Sequence, residues 1–464
     1  MANHKTVYPY IPNSEPDIKA QMLKEVNAKN VDELYSDIPA KLRFSGVMSL
    51  PPALKSEYEL RRQIEQTLRH NKTTKEYLNF LGAGCYQHHV PAICDEINSR
   101  GEFLTAYAGE PYDDHGRFQS LFEYTSMMAE LLEMDVVNVP TYDGFQAAST
   151  ALRMACQITG RSQVLLPETL GVDLLSKIRD YLKPDIKIGM IRHDPVTGGM
   201  DLQHLEEAIN GDCAAVFFEN PSYLGLLELK GAEIAEIAHH QGAVCIVSVD
   251  PISLGVLEPP VNYGADLVVG DIQPLGMHMQ YGGGQAGFIA SRDEEKFVMQ
   301  YPSRLFGIVP TRVKGEYGFG DVAYDRTSFA RREEGNEWVG TAAALWGITA
   351  GIYLALMGPQ GMKEIGEGIL YRSQYAKQEI GKIFNVSAGV FQAPQFKEFV
   401  VNFDKTGKTV ADINQRLLEK KIFGGKELSH EFPWLGESAL FCFTEVHTKD
   451  DIDQLVSTLK EVVA

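Results

Sequence analysis

The chain has 464 residues, 44% of them hydrophobic and 23% charged, with a formal net charge of -19 at pH 7. That length can bury one large core with a smaller one attached. The acidic balance disfavours nucleic acid and anionic membrane surfaces, both of which call for clustered Lys and Arg.

In chain order, residues 1 to about 75 are polar, with prolines at 9, 12, 16, 39, 51 and 52 between short helical stretches. Such a segment is too poor in apolar periodicity to fold alone, and it reads as an arm lying over another surface, such as a partner chain. The opening Met1-Ala2-Asn3-His4-Lys5 has no apolar run behind it, so no secretory signal is expected. No run of about 18 apolar residues occurs, so no membrane span is expected either.

From about residue 118 the pattern changes. Leu121, Phe122, Met128, Leu131 and Leu132 recur at helical spacing, and a second helix is predicted after Asp143-Gly144. Short apolar runs then alternate with helical ones. Val164-Leu165-Leu166 precedes a helix over 174–182, Ile186 to Ile191 one around Leu205, and Ala214 to Phe218 one over 234–239. Val244 to Val249 is followed by Leu267-Val268-Val269. Continuous apolar strands between helices predict a mostly parallel sheet covered on both faces. The last stretch, with strands at 399–403 and 440–443 and helices near 410–420 and from Asp450, predicts a small α+β domain. The expected organisation is an arm over 1–75, a large α/β domain over 76–345 and a small α+β domain over 346–464.

The six cysteines (Cys85, Cys94, Cys156, Cys213, Cys245 and Cys442) are scattered with no Cys-x-x-Cys pair, as in a reduced, cytoplasmic protein. His88-His89 and His239-His240 are adjacent pairs whose side chains point apart, so no metal site is expected. Gly282-Gly283-Gly284-Gln285-Ala286-Gly287 satisfies G-x-G-x-x-G formally, but it runs into Phe288-Ile289-Ala290, a predicted strand rather than the helix that a dinucleotide site needs. Thr406-Gly407-Lys408-Thr409 lacks the first glycine of a P-loop, Asn402 standing in its place.

Two positions carry more. Tyr142-Asp143-Gly144 stands directly before a helix, whose free N–H groups suit an anion, although an ordinary cap would look the same. Asp250 ends the strand Ala243 to Val249 where ligands of open α/β sheets sit. It could pair with a protonated pyridine nitrogen or cap the turn that follows.

These features in this order resemble the aspartate-aminotransferase-like family of fold type I pyridoxal-phosphate enzymes. Within it, several strings resemble the alpha-subunit branch of decarboxylating glycine dehydrogenase, the P-protein of the glycine cleavage system. They are Tyr10-Ile11-Pro12, Ser36-Asp37-Ile38-Pro39, Tyr77-Leu78-Asn79-Phe80-Leu81-Gly82-Ala83-Gly84 and Met134-Asp135-Val136-Val137-Asn138. Tyr142-Asp143-Gly144, Asp250-Pro251-Ile252-Ser253-Leu254-Gly255 and Gln273-Pro274-Leu275-Gly276 follow. Arg331-Arg332-Glu333 and Tyr353-Leu354-Ala355-Leu356-Met357-Gly358 complete the set.

The resemblance implies a cofactor lysine some two dozen residues beyond Asp250, yet no lysine occurs between Lys230 and Lys296, and Pro274 stands near its place. It therefore implies no catalytic residue in this chain and a vestigial cofactor site at Asp143, Gly144 and Asp250. Pyridoxal phosphate would be held by a beta-type partner chain, in a heterotetramer of two alpha and two beta subunits. The implied reaction is decarboxylation of glycine, a small amino-acid substrate, with the aminomethyl group passed to a lipoyl carrier protein.

Two segments depart from the family pattern. After Thr105-Ala106-Tyr107, relatives continue T-P-Y-Q-P-E-I-S-Q-G, where this chain has a shorter and more acidic loop. Tyr107, Glu110, Tyr112, Asp113, Asp114, His115 and Arg117 are accordingly expected to set substrate choice at the partner's cofactor. Residues 334–343 also differ, with Glu334 at a usual lysine. Drift in a subunit that performs no chemistry, a paralogous complex acting on another amino acid or acceptor, and a non-enzymatic scaffold are the three readings of these departures.

Overall fold

A computed structural model describes residues 7–8, 10–44, 46, 48–103, 115–331, 333 and 343–464. It divides into two compact units, Met1–Asn71 and Lys72–Ala464.

The first unit holds helices α1 (Pro16–Glu25) and α2 (Glu57–Leu68) with short 3-10 turns between them. Ser56 caps α2 by accepting from Glu59 N. None of its described residues is buried. On α2 the residues Leu60, Ile64 and Leu68 fall four apart and form one apolar stripe, all of it exposed.

The second unit opens with β1 (Leu78–Asn79), α3 (Ala92–Asn98) and α4 (His115–Leu132). Its main sheet then takes in β2 (Val136–Val137), β3 (Gln163–Pro167), β4 (Lys187–Ile191), β5 (Cys213–Glu219), β6 (Val244–Val249), β7 (Leu267–Asp271) and β8 (Gly287–Ser291). The spatial order is β2-β8-β7-β6-β5-β3-β4, parallel from β7 to β4 and antiparallel at β8 and β2. Between the strands lie α5 (Gly144–Thr159), α6 (Val172–Leu182), α7 (Leu202–Ala208) and α8 (Gly231–His240), and α9 (Glu295–Val298) follows β8.

The apolar runs are continuous because alternate side chains enter different cores. Val216, Phe218, Cys245, Val247 and Val268 pack on the face covered by α4, α8 and α10 (Ala344–Ile380). Ala215, Phe217, Val244, Ile246, Leu267 and Val269 pack on the opposite face with α5 and α6. Each fully buried Val or Ile contributes on the order of 2 kcal/mol, so both faces must stay covered for the sheet to persist.

A hairpin of β9 (Phe306–Pro310) and β10 (Tyr317–Asp321) was not expected from the sequence. The 37-residue α10 was also missed; it continues past Gly358 (φ 58°) and Pro359 by a kink. Its first half belongs to the main core, and its end, from Ala376 to Ile380, packs against a four-stranded antiparallel sheet. That sheet comprises β11 (Ser387–Ala388), β12 (Glu398–Asn402), β14 (Lys426–Glu427) and β15 (Ser438–Cys442), in the order β11-β12-β15-β14. Meanwhile β13 (Ile422–Phe423) pairs in parallel with β1. Helices α11 (Val410–Glu419) and α12 (Lys449–Val463) cover this sheet, α12 starting in a capping box of Thr448 and Asp451.

All six cysteines are free. No helix among the described residues is long and apolar enough to cross a membrane.

Candidate functional site

At the carboxyl ends of β5, β6 and β7 a cavity of about 130 Å³ opens, bounded by Gly84, Tyr86, Gly144, Glu219, Asp250, Asp271, Pro274 and Gln285 among others. This is where the parallel sheet directs its strand-end residues. Asp250, Gly144 and Pro274, each singled out in the sequence, meet here, and Asp143 stands beside them as the cap of α5. No lysine is among the lining residues.

The two strong sequence positions are each already hydrogen-bonded. Asp143 Oδ1 accepts from Gln146 N at 2.7 Å and so caps α5. Gly144 N, the first free donor of that helix, donates to Asp271 Oδ2 at 2.9 Å. Asp271 Oδ1 accepts from Gln273 N at 2.8 Å. Asp250 caps the turn, Oδ1 accepting from Ile252 N at 3.0 Å, while Oδ2 meets a cation of this chain rather than a pyridinium. That cation is Lys397 Nζ, 2.5 Å away, with its side chain 4% exposed.

Lys397 was not anticipated. It lies just before β12, some 150 residues from Asp250 in sequence, and only the packing of the small sheet brings it behind the pocket wall, against Asp250. Its ammonium also stands 3.1 Å from the centre of the Tyr86 ring, a close cation–π contact. The next residue, buried Glu398, accepts from Ala83 N at 2.7 Å and from Tyr86 Oη at 3.0 Å. Gln273 holds Tyr86 from below, accepting from its N–H at 3.1 Å and donating to its carbonyl at 2.9 Å. Gln285 Nε2 donates to Gly84 O at 3.0 Å. The segment 83–86 is thus tied by these five hydrogen bonds to β12 and to the loop between β7 and β8.

The glycine run is structural. Gly287 leads into β8, and a Cβ there would stand 2.2 Å from Asp143 O. The final glycine of the run therefore lets β8 pass directly under the start of α5.

Among the described residues no group of three or more His, Cys, Asp or Glu gathers as metal ligands. His88 is buried against Glu445 at 2.8 Å, His239 meets Asp266 at 2.8 Å, and His240 faces Glu236 at 3.8 Å. Tyr107, Glu110, Tyr112, Asp113 and Asp114 lie outside the described residues, as do 334–342. His115 begins α4, and Arg117 is buried in its first turn.

Burial pushes the carboxyls of Glu219 and Asp271 up to about 7, against backbone N–H donors that pull the other way. Their unfolded values lie near 4. Below about pH 4 both states carry the proton; between about 4 and 7 only the folded state keeps it, so rising pH favours unfolding across that window. Glu445 has the opposite sign: burial raises it, but His88 and the His89 N–H outweigh that and hold it at about 2, a contribution lost only in strong acid. Glu219→Gln is expected to remove part of the decline in urea midpoint between pH 5 and 8, by at most about 1.4 kcal/mol per pH unit. An unchanged difference between variant and parent across that range would count against a protonated Glu219.

The glycine cleavage system P-protein family model matches residues 8–459. The probable glycine dehydrogenase (decarboxylating) subunit 1 of Staphylothermus marinus is 40% identical over 464 residues, 98% of each chain. That of Desulfitobacterium hafniense is 36% identical, covering 98% of this chain and 99% of its own. A crystal structure of glycine decarboxylase (P-protein) in inhibitor-bound form superposes with a TM-score of 0.83 at 30% identity, covering 98% of this chain and 100% of that one. The Burkholderia pseudomallei sphingosine-1-phosphate lyase, at 14% identity and a TM-score of 0.65 over 92% of this chain and 94% of its own, shares the fold. The expected aspartate-aminotransferase-like architecture is therefore present, and the chain belongs to the glycine cleavage system P-protein family.

Proposed function

We propose that this chain is the alpha-type subunit of a decarboxylating glycine dehydrogenase. A beta-type subunit holds pyridoxal phosphate, and this chain completes that pocket from across the interface. The relatives' names, subunit 1, support a second subunit. What supports the division of labour is the pocket lining: no lysine is among its described residues, and the family resemblance would put the cofactor lysine near Pro274. A pocket without that amine cannot hold the cofactor covalently.

The residues present also do not fit a non-covalent cofactor. A phosphate at the start of α5 would meet the Asp271 carboxylate, and a pyridinium at Asp250 would meet the Lys397 ammonium. No step of the reaction is therefore assigned to this pocket. Pyridoxal phosphate held by the partner would supply the electron sink for decarboxylation of glycine, and a lipoyl carrier protein would accept the aminomethyl group. The scattered cysteines, free in this fold, support a cytoplasmic location.

The expected result is that neither subunit alone catalyses exchange of labelled carbon dioxide into glycine, and that mixing them raises the rate at least a hundredfold. Full exchange activity in this chain alone sinks the reading. The same assay across other amino acids, with residues 108–117 exchanged for the usual family loop, tests whether Tyr107 to Arg117 set substrate choice. If glycine is preferred equally before and after, they do not.

A further inference from the structure

Two charged positions would anchor a phosphorylated pyridine in a pocket of this kind: a carboxylate for the ring nitrogen and a helix N-terminus for the phosphate. Both are engaged within the chain. Asp250 has one oxygen on Ile252 N and the other 2.5 Å from Lys397 Nζ, so an incoming pyridinium would meet a buried like charge at that oxygen. The ammonium in turn lies over the Tyr86 ring, and Tyr86 is fixed through its N–H, its carbonyl and its hydroxyl by Gln273 and Glu398. At the other end Asp271 fills the space before Gly144; a Cβ on Gly144 would already lie 3.1 Å from the Asp271 Cβ. An arriving dianion would also face the carboxyls of Glu219 and Asp250 in the same wall.

We propose that this chain fills its own cofactor cradle. The Lys397 ammonium stands in for the pyridinium at Asp250, and the Asp271 carboxylate stands in for the phosphate at Gly144. The pocket thereby excludes pyridoxal phosphate even as a non-covalent ligand. This goes further than the missing lysine, since restoring an amine alone would leave both anchors occupied. Lys397 does not substitute for the missing lysine, because a buried ammonium held by a carboxylate has no free electron pair to attack an aldehyde. The inference rests on the reading that the cofactor resides in the second subunit, and the experiment separates the two.

The test uses the complex of both subunits, with cofactor stoichiometry read by absorbance and by equilibrium dialysis. One pyridoxal phosphate per pair of chains is expected with the parent protein. Two, or none, would sink the subunit reading itself. Lys397→Met, with Lys397→Asn as the milder form, empties the place at Asp250; Asp271→Ala empties the place at Gly144. The double variant is expected to take up a second equivalent that borohydride does not fix. Asp271→Ala alone is expected to bind inorganic phosphate at least tenfold more tightly than the parent, by calorimetry. Stoichiometry unchanged in the double variant, together with phosphate affinity unchanged in Asp271→Ala, would overturn the self-filling proposal while leaving the subunit reading intact. Should the variants fail to fold, hydrogen exchange on the parent complex decides. Excess pyridoxal phosphate is expected to leave the Gly144 and Ile252 amides unaffected, and slowed exchange at either overturns the proposal.

Discussion

Lys397→Met is expected to destabilise the folded chain by about 3–5 kcal/mol, read as a fall in urea midpoint at pH 7.5. The methionine keeps the apolar stem packed, so the loss isolates the charge. Asp250 would then be left with one backbone donor on Oδ1 and no cation on Oδ2, within a wall that already holds Glu219 and Asp271. The desolvation cost that the ion pair offsets would be exposed in full. Adding Asp250→Asn to Lys397→Met removes the stranded charge and should recover more than half of the loss. A penalty additive with Asp250→Asn would mean that the pair contributes only packing.

The prominence of Lys397 also shows what a linear reading misses. The main sheet was legible because its signal is local: β5 and β6 are unbroken apolar runs, and helices of ordinary periodicity stand between them. Asp250 could be picked out because it directly ends such a run, and Asp143 because capping acts over three residues. Their partners could not. Lys397, Glu398 and Tyr86 come together through the docking of β12 beside the pocket, over separations of some 150 to 310 residues, and nothing in the local pattern near Lys397 marks it as charged and buried. Asp271 was passed over for another reason. It ends β7 as Asp250 follows β6, but the sequence does not reveal that β7 passes next to the start of α5, where Gly144 allows the close approach. In α10 the backbone leaves helical geometry at Gly358, and a second helical stretch resumes directly at Pro359 after the kink, which no local periodicity marks.

The absent lysine and the filled anchors bear on one another. A sheet-end carboxylate such as Asp250 is costly to bury without a cation, and a helix N-terminus leaves unsatisfied donors without an anion. In a chain that binds the cofactor, the ligand meets both needs. In this chain each need is met by a side chain, and the resulting bonds join the main sheet, the segment 83–86 and the small sheet. An alpha-type subunit whose role is to shape a partner's pocket gains from such rigidity, because its own geometry then does not depend on ligand occupancy.

Removing residues 1–71 is expected to abolish association with the second subunit while leaving residues 72–464 folded, with a melting temperature within a few degrees of the parent. The first unit has large apolar side chains but none of its described residues is buried: Tyr10 is 96% exposed and Phe44 72%. Its helices nevertheless carry one-sided stripes, Ile18 and Met22 on α1 and Leu60, Ile64 and Leu68 on α2, the spacing of faces that pack against something. Uncovered apolar stripes of this kind favour association, so a covering surface is expected. In the proposed two-chain organisation the partner would supply one. Burying the three α2 residues alone would contribute roughly 4 kcal/mol, so a triple change of Leu60, Ile64 and Leu68 to serine is expected to weaken association about a thousandfold. Analytical ultracentrifugation of the truncated, triply substituted and parent chains with the second subunit measures it directly. Undiminished assembly in both altered chains would place the interface elsewhere and leave the stripes without an assigned role.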